Sequence, residues 1–600
     1  MKPRKEVRII KTLLVTLNAK YIHSSLALRY LRACCQDVCP TIVKEYTINH
    51  NLLSILHDIY KQKPKIIGLA CYIWNIDMTI ALVGLIKKVL PDTLIIFGGP
   101  EVSYDPEKVM QKCHDVDYII QGEGENTLRF LLQELAETRQ KLAITELSSI
   151  SGVAYRNAEG KVVINGEAQV VASLDDIPFP YTDSDMAALK DKIIYYESSR
   201  GCPFNCQYCL SSVTKGVRFH NLERVYADLT FFIRHKVKQV KFVDRTFNAK
   251  KDYYLPIMQF LAQQEGTTNF HFEIAVDLLD DEVIDFLSSV QVGRFQFEIG
   301  IQSTNEPTLK AIQRTNKWDK IVHNVTRLRQ GENIHLHLDL IAGLPEESYW
   351  QFGQSFNDVY HLRPHMIQLG FLKLLKGSGL RMKSKQYGYI FSDCAPYEVL
   401  ANNCLPFEDV SRLKILEGLV DQFYNSGRFQ YVLPVFINLY KGNAFQFFHD
   451  FTAYWEKNEC NMLEQGIKGL YQHIINFYQD CGFSDVEFFL EMVKFNALIS
   501  ERGKVHFPFL PWNEEKWSQE KTNFWRSPEL VRKYLPEYNF TTWRDIKKQY
   551  HLEVFSFDLS SYFKEQGKLE KQLTPILFNY HGEENFQKIA VTDFWEKEGI

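Results

Sequence analysis

The chain has 600 residues, a formal net charge of −4, and a composition that is 45% hydrophobic, 24% charged and 14% aromatic. That is too long for one core and predicts about three domains of an ordinary globular protein. The charge balance supplies no global basic field, which argues against a nucleic-acid partner, and no stretch approaches the roughly 18 uninterrupted apolar residues of a membrane span.

The opening "MKPRKEVRIIKTLLVTLNAK" is basic and then apolar, but Lys11, Asn18 and Lys20 interrupt the run. It reads as a first strand and not as a signal peptide. From Ile9 to about Glu137, strand-like runs ("IIKTLLVTL", "TIVKEYTI", "KIIGLA", "TLIIFGG", "VDYII") alternate with helical periodicity. Five such units predict a flavodoxin-like, doubly wound parallel sheet over residues 8–140. The rhythm then breaks at "GVAYRNAEGKVVING", hairpin material, and at the stiff "DDIPFPYTD", giving a linker over 141–187.

Alternation resumes at "KIIYYES" and continues through "QVKFV", "NFHFEIAV", "GRFQFEIG", "NIHLHLDLI" and "HMIQLGF". Six strand–helix units over 188–400 predict a partial (β/α)6 barrel. Beyond residue 400 the text turns aromatic and helical, so 401–600 is expected to be a mainly helical domain. Its aromatic stretches ("FPFLPWNEEKW", "TDFWEKEG") read as stacked core or as a substrate groove. The twelve cysteines are scattered and include the adjacent pair Cys34–Cys35, a poor disulfide framework that fits a reducing cytoplasm.

Three of them are not scattered. "SSRGCPFNCQYCLSS" places Cys202, Cys206 and Cys209 at C-x3-C-x2-C in the loop after a strand, where β/α barrels build active sites. Three thiolates can hold three irons of a 4Fe–4S cluster and leave the fourth open. Zinc, the rival metal, would need a fourth ligand, and the spacing is not that of a zinc-finger pair.

"RGCPFNCQYC" resembles the cluster motif of radical S-adenosylmethionine (SAM) enzymes, in which the open iron chelates SAM and reduction yields a 5′-deoxyadenosyl radical. The resemblance runs over roughly 190–380. It implies that Tyr208, Val243 and Asp244 (in "VKFVDRTFN"), Glu298 and Gln302 (in "FEIGIQSTN"), Arg314, Ile341 (in "DLIAGLPEES") and Leu372 (in "GFLKLLKGS") surround SAM. Asp244 stands where SAM's amino group is received, although the commoner Gly-Gly-Glu form is absent.

The N-terminal half has three chemically loaded strand ends: "CYIWNID", "GGPEVSYDP" and "QGEGEN". No phosphate-cradling glycine motif accompanies them. "FGGPEVSYDP…VDYIIQGEGENTL" resembles the cobalamin-binding domain of one large branch of radical SAM proteins. There is no Asp-x-His-x-x-Gly motif, so the resemblance implies base-off cobalamin without a histidine ligand. Its binding residues would be His23, Tyr72, Trp74, Asn75, Gly98, Gly99, Glu101, Gly122, Glu123 and Gly124. The C-terminal third is similar to the branch carrying a domain of unknown function. The resemblance as a whole implies a methyltransferase acting on an unknown small molecule at an unactivated carbon or phosphorus centre. A low-potential donor such as flavodoxin or ferredoxin would reduce it. A cobalamin-assisted cyclase or rearrangement enzyme, or a binding protein without turnover, are the alternatives.

Overall fold

The computed structural model describes residues 11–137, 147–213, 216–460, 465–513, 515–538, 543–546, 549–564, 570–580 and 585–595. It falls into two compact units, 1–410 and 411–600. The expected start of the first strand at Ile9, and the expected boundary at 140, lie outside the described residues.

The first sheet contains β1 (Thr12–Asn18), β2 (Thr41–Thr47), β3 (Ile66–Ala70), β4 (Leu94–Gly98) and β5 (Tyr118–Ile120) in the parallel order β2-β1-β3-β4-β5. This is the flavodoxin-like order, with its switch point between β1 and β3. Every residue of β1 and β3 is buried, because helices cover both faces. Leu13, Val15 and Leu17 pack on one side with Ile67, Leu69 and Phe97, while Leu14, Ile66 and Ile96 pack on the other against Leu128 and Leu131. The stretch read as linker is partly sheet: β6 (Val153–Arg156) and β7 (Val162–Ile164) extend β5 antiparallel.

The second sheet is built from β8 (Ile194–Tyr196), which leads into the antiparallel pair β9 (Ser199–Cys202) and β10 (Gly216–Phe219), and from β11 (Gln239–Phe242), β12 (Asn269–Ile274), β13 (Phe295–Gln302), β14 (His335–Ala342) and β15 (Met366–Phe371). Its parallel order is β15-β14-β13-β12-β11-β8, and the two end strands do not pair, so the barrel is open. Here the strands alternate strictly. Phe270, Phe272, Phe295, Phe297, Ile299, Leu336 and Leu338 are buried. The intervening His271, Glu273, Glu298, His337 and Asp339 share the opposite, inner face. A closed β/α barrel fills its interior with branched apolar side chains; this one is lined with ionisable groups. A short hairpin of β16 (Ile390–Phe391) and β17 (Val399–Ala401) follows.

The unit 411–600 packs helices such as Ala444–Lys457, Ile467–Asp480 and Val486–Ser500 around an aromatic core, in which Tyr478 and Phe489 stack at 3.8 Å. Phe436, Phe447, Phe451 and Phe477 are all buried there, so these aromatics are core. The unit also holds an antiparallel sheet that the sequence reading did not anticipate: β18 (Tyr550–Phe555), β19 (Thr574–Asn579) and β20 (Phe586–Lys588). No described helix is long and apolar enough to cross a membrane.

Candidate active site

Two cavities open at the C-terminal ends of the two parallel sheets. The smaller, about 200 Å³, is lined by Cys202, Cys206 and Cys209 together with Tyr208, Thr246, Glu273, Glu298, Gly300, Gln302, Arg314 and Asp339. The cysteine loop is shaped by Gly201, whose φ of +112° only glycine adopts freely and where a Cβ would collide with the Gly216 carbonyl. Thr246 Oγ1 lies 3.5 Å from Cys202 Sγ, and Arg314 Nη1 lies 3.6 Å from Cys206 Sγ. Arg314 is fixed by a hydrogen bond to the Gly300 carbonyl and reaches Tyr208 Oη at 3.4 Å. Three thiols lining one polar pocket, with a cation beside them, fit the donor set of an iron–sulfur cluster with one iron left open. All other cysteines are free thiols spread elsewhere through the chain.

The acids of this pocket differ in charge. Glu298 Oε2 meets Lys241 Nζ at 2.8 Å and His271 Nε2 at 3.0 Å. Burial alone would lift its carboxyl, but His271 and Lys241 outweigh burial and hold it at about 2. Glu273, next to it on β12, gains no such partner: burial, and then the Glu298 charge, push its carboxyl up to about 7. Asp339 is pushed up by burial, and its Oδ1 lies 2.9 Å from His337 Nε2 but out of line for a hydrogen bond. Gln302, at φ +72°, folds back over Gly300, and its Oε1 is buried without a partner.

Of the residues named for SAM, Tyr208, Glu298, Gln302 and Arg314 line the cysteine pocket. Four other positions do not. Asp244 is fully buried and faces away from the pocket: it accepts hydrogen bonds from the Ser198 amide (2.9 Å) and from the Ser198 and Ser199 hydroxyls (2.6 Å each). It pins the strand that enters the cysteine loop. Val243 lines the larger cavity instead of the smaller. Ile341 and Leu372 belong to an apolar cluster with Leu309, Leu344 and Val399, because Val399 of the later hairpin packs over the ends of β14 and β15, beside Gly343 and Leu372. Lys241, Glu273 and Asp339 were not singled out, although the polar–apolar alternation of "NFHFEIAV" and "NIHLHLDLI" marks that face.

The larger cavity, about 1380 Å³, opens over β1, β3, β4 and β5. His23, Tyr72, Trp74, Gly98, Gly99, Gly122, Glu123 and Gly124, of the residues named for cobalamin, line it. Tyr72 and Trp74 stack at 4.5 Å with an interplanar angle of 6°, and Trp74 is anchored to the Leu17 carbonyl. His23 Nδ1 is 2.7 Å from the Tyr195 hydroxyl, and burial, with Lys20 and Lys241, lowers its pKa, so the ring is neutral. Glu123 is held by Arg218 and Arg200, and Arg200 also pairs with Glu125 and Glu197 at 2.8 Å each. Two expected residues are withdrawn from the cavity. Asn75 is buried and ties the β3 loop to the Leu17 and Ala70 carbonyls. Glu101 is buried in an ion pair with Lys376 at 2.7 Å and accepts from Tyr397, which clamps the first sheet to the segment after the barrel. Gly99 is required by the fold itself: its φ is +111°, and a Cβ there would lie 2.6 Å from the Cys71 carbonyl. Gln121 Oε1, in this cavity, is buried without a partner. Volume, an aromatic and glycine-lined wall and an orphaned acceptor fit a large amide-rimmed macrocycle.

The B12 binding domain family matches residues 12–132, the radical SAM superfamily 196–359, and a family of proteins of unknown function, DUF4080, 385–578. The chain therefore carries, in order, segments that match a B12-binding domain, a radical SAM domain and a C-terminal domain of unknown function. It is similar to the cobalamin-dependent radical SAM methyltransferase TokK of Streptomyces tokunonensis, at 25% identity over 65% of this chain and 61% of that protein. It is also similar to an uncharacterized methyltransferase of Pyrococcus horikoshii, at 26% identity over 48% of this chain and 62% of that one. The chain spans about three fifths of the length of these relatives. Among solved structures, the cobalamin-dependent SAM radical enzyme OxsB with aqua-cobalamin bound shares its fold, with a TM-score of 0.57 at 15% identity, covering 83% of this chain and 80% of that one.

Proposed function

We propose that the protein is a cobalamin-dependent radical SAM methyltransferase that acts on a small molecule at an unactivated carbon or phosphorus centre. One observation carries this reading: the three-cysteine pocket and the cobalamin-sized cavity adjoin, and Arg245 lines both. When bound, the cluster with SAM would supply a hydrogen-abstracting radical and cobalamin a transferable methyl group.

The chain's own residues bind and orient. Cys202, Cys206 and Cys209 hold the cluster, and Arg314 beside Cys206 is placed for SAM's carboxylate. Ionised Glu298 offers acceptors for SAM's polar groups. Tyr72 and Trp74 would present a flat aromatic wall to the corrin and the glycine backbone would approach its rim; the cofactor is expected to bind base-off, with His23 engaged by Tyr195 instead of serving as a ligand. An enzyme of this kind would be cytoplasmic and would take electrons from a flavodoxin or ferredoxin.

The test is anaerobic incubation of reconstituted protein with SAM, methylcobalamin, reductant and a host metabolite extract. The reading expects 5′-deoxyadenosine and a metabolite heavier by one CH2 unit. An isomerised or cyclised product of unchanged carbon count would replace methyl transfer with rearrangement, and no SAM cleavage would make the protein a binder.

A further inference from the structure

Arg245 occupies a position unlike that of any neighbour. The segment after β11 is buried: Asp244 is 0% exposed, Thr246 6%, Phe247 1% and Asn248 1%. Asp244 is gripped by Ser198 and Ser199, Thr246 Oγ1 donates to the Arg245 carbonyl at 2.8 Å, and Asn248 bonds both backbone groups of Ala275. The backbone at Arg245 is thus clamped on both sides, while its side chain alone is exposed. It is also the one described residue that lines both cavities.

The other arginines nearby are already engaged. Arg200 and Arg218 share Glu123, Glu125 and Glu197, and Arg314 is bound to the Gly300 carbonyl beside Cys206. Among the described residues, the Arg245 guanidinium has no hydrogen-bond or ion-pair partner. A guanidinium is the side chain best matched to the two oxygens of a carboxylate or phosphate. Its backbone is already fixed, so capture of an anion would order the side chain alone. On the methyltransferase reading Arg314 serves SAM's carboxylate, and the cobalamin ring is rimmed by neutral amides, its single phosphodiester lying in the nucleotide tail and not on the ring.

We infer that Arg245 is the anchor for the substrate, and that the substrate is an anionic small molecule whose carboxylate or phosphate binds Arg245 at the junction of the two cavities. This rests on the methyltransferase reading for what fills the cavities. The anchor would place the anion beside the acidic pocket and leave the remainder of the molecule to lie between the methyl-donor cavity and the cluster pocket.

The test uses protein reconstituted anaerobically with cluster and cobalamin, and saturation-transfer NMR titrations of phenyl phosphate, benzoate and neutral benzamide, each with and without saturating SAM. Wild type is expected to prefer one or both anions to benzamide, and the stronger of the two tells phosphate from carboxylate. Arg245→Gln should weaken that anion by roughly tenfold or more, and Arg245→Lys by less, since the lysine keeps the charge and loses the fork. The inference is overturned if benzamide binds as well as the anions, if Arg245→Gln leaves the anion affinity intact, or if SAM competes the anion away, which would give Arg245 to SAM. Cobalamin uptake and SAM cleavage are read on the same wild-type sample. Loss of either would sink the methyltransferase reading, whereas the anion titrations decide Arg245 alone.

Discussion

The two parallel sheets of this protein present ligand cavities at the same edge but by opposite means. In the first sheet both faces lie under helices, so β1 and β3 are apolar throughout and contribute no chemistry of their own. The polar part of its cavity wall comes from the loops at the strand ends: glycine backbone, the Tyr72–Trp74 stack, His23, and charges that, Arg245 apart, are largely paired. In the second sheet only one face lies under helices. The other is free to carry Lys241, His271, Glu273, Glu298, His337 and Asp339 in adjacent registers. The first sheet thus offers mainly shape and the second mainly charge. A cofactor of large neutral area and a small zwitterion would partition between them on that basis.

The largest effect expected from separating the two is loss of the cluster. Alanine at Cys202, Cys206 or Cys209 should abolish iron content, visible absorbance and SAM cleavage, yet leave cobalamin uptake intact, because the larger cavity uses none of these thiols. Concurrent loss of cobalamin would break the comparison. Next is Glu298→Gln, which strips the partner from Lys241 and His271 and removes a charged acceptor. SAM affinity, measured by equilibrium dialysis, should fall by an amount on the order of 2–4 kcal/mol. Unchanged affinity would make Glu298 a structural carboxylate.

How much of this was legible in the sequence follows the same division. The strands were legible because alternation and apolar runs are local, and the three cysteines because one loop carries all three. Asp244 was misplaced because its partners, Ser198 and Ser199, arrive from another strand: only the β8–β11 pairing shows that the carboxylate is consumed there. Glu101 was misplaced for the same reason, its Lys376 lying 275 residues away. The β18–β20 sheet went unseen because "YHLEVF" and "TPILFN" are brief apolar runs that periodicity alone does not separate from helix.

The third prediction is a pH dependence confined to the barrel. Glu273 has a folded pKa of about 7 against an ordinary 4.5. Its protonated form is favoured by the fold, so its contribution to stability is fully present below about pH 4.5 and is lost as pH rises through 7. Glu298 behaves in the opposite sense: its contribution is present above its ordinary 4.5 and is lost as pH falls toward 2. Glu273→Gln should therefore raise thermal stability at pH 8, by about 1–3 kcal/mol, and have little effect near pH 5. Thermal denaturation at the two pH values decides it, and an equal effect at both would mean that Glu273 ionises freely in the fold.

The smallest effect belongs to the first sheet, and Gln121 is the residue on which to measure it. Glycine substitutions are poor probes there, since alanine at Gly99 would meet the Cys71 carbonyl and strain the backbone whether or not a ligand binds. Gln121 instead donates Nε2 to the Ser103 carbonyl at 2.8 Å, which orients the amide and leaves Oε1 buried without a donor. An unsatisfied buried acceptor costs stability until a ligand N–H reaches it. Gln121→Leu should consequently weaken cobalamin binding by about 1 kcal/mol, close to fivefold, while the protein without cobalamin loses little stability, because the lost Ser103 bond is offset by removal of the orphaned oxygen. That weakening should be the same at pH 6 and pH 8, since an amide oxygen carries no charge at either. If cobalamin affinity, followed by its visible spectrum, is unaffected by the substitution or changes with pH, then the first cavity does not bind by neutral hydrogen bonding and shape, and the division of labour between the two sheets fails at its weaker half.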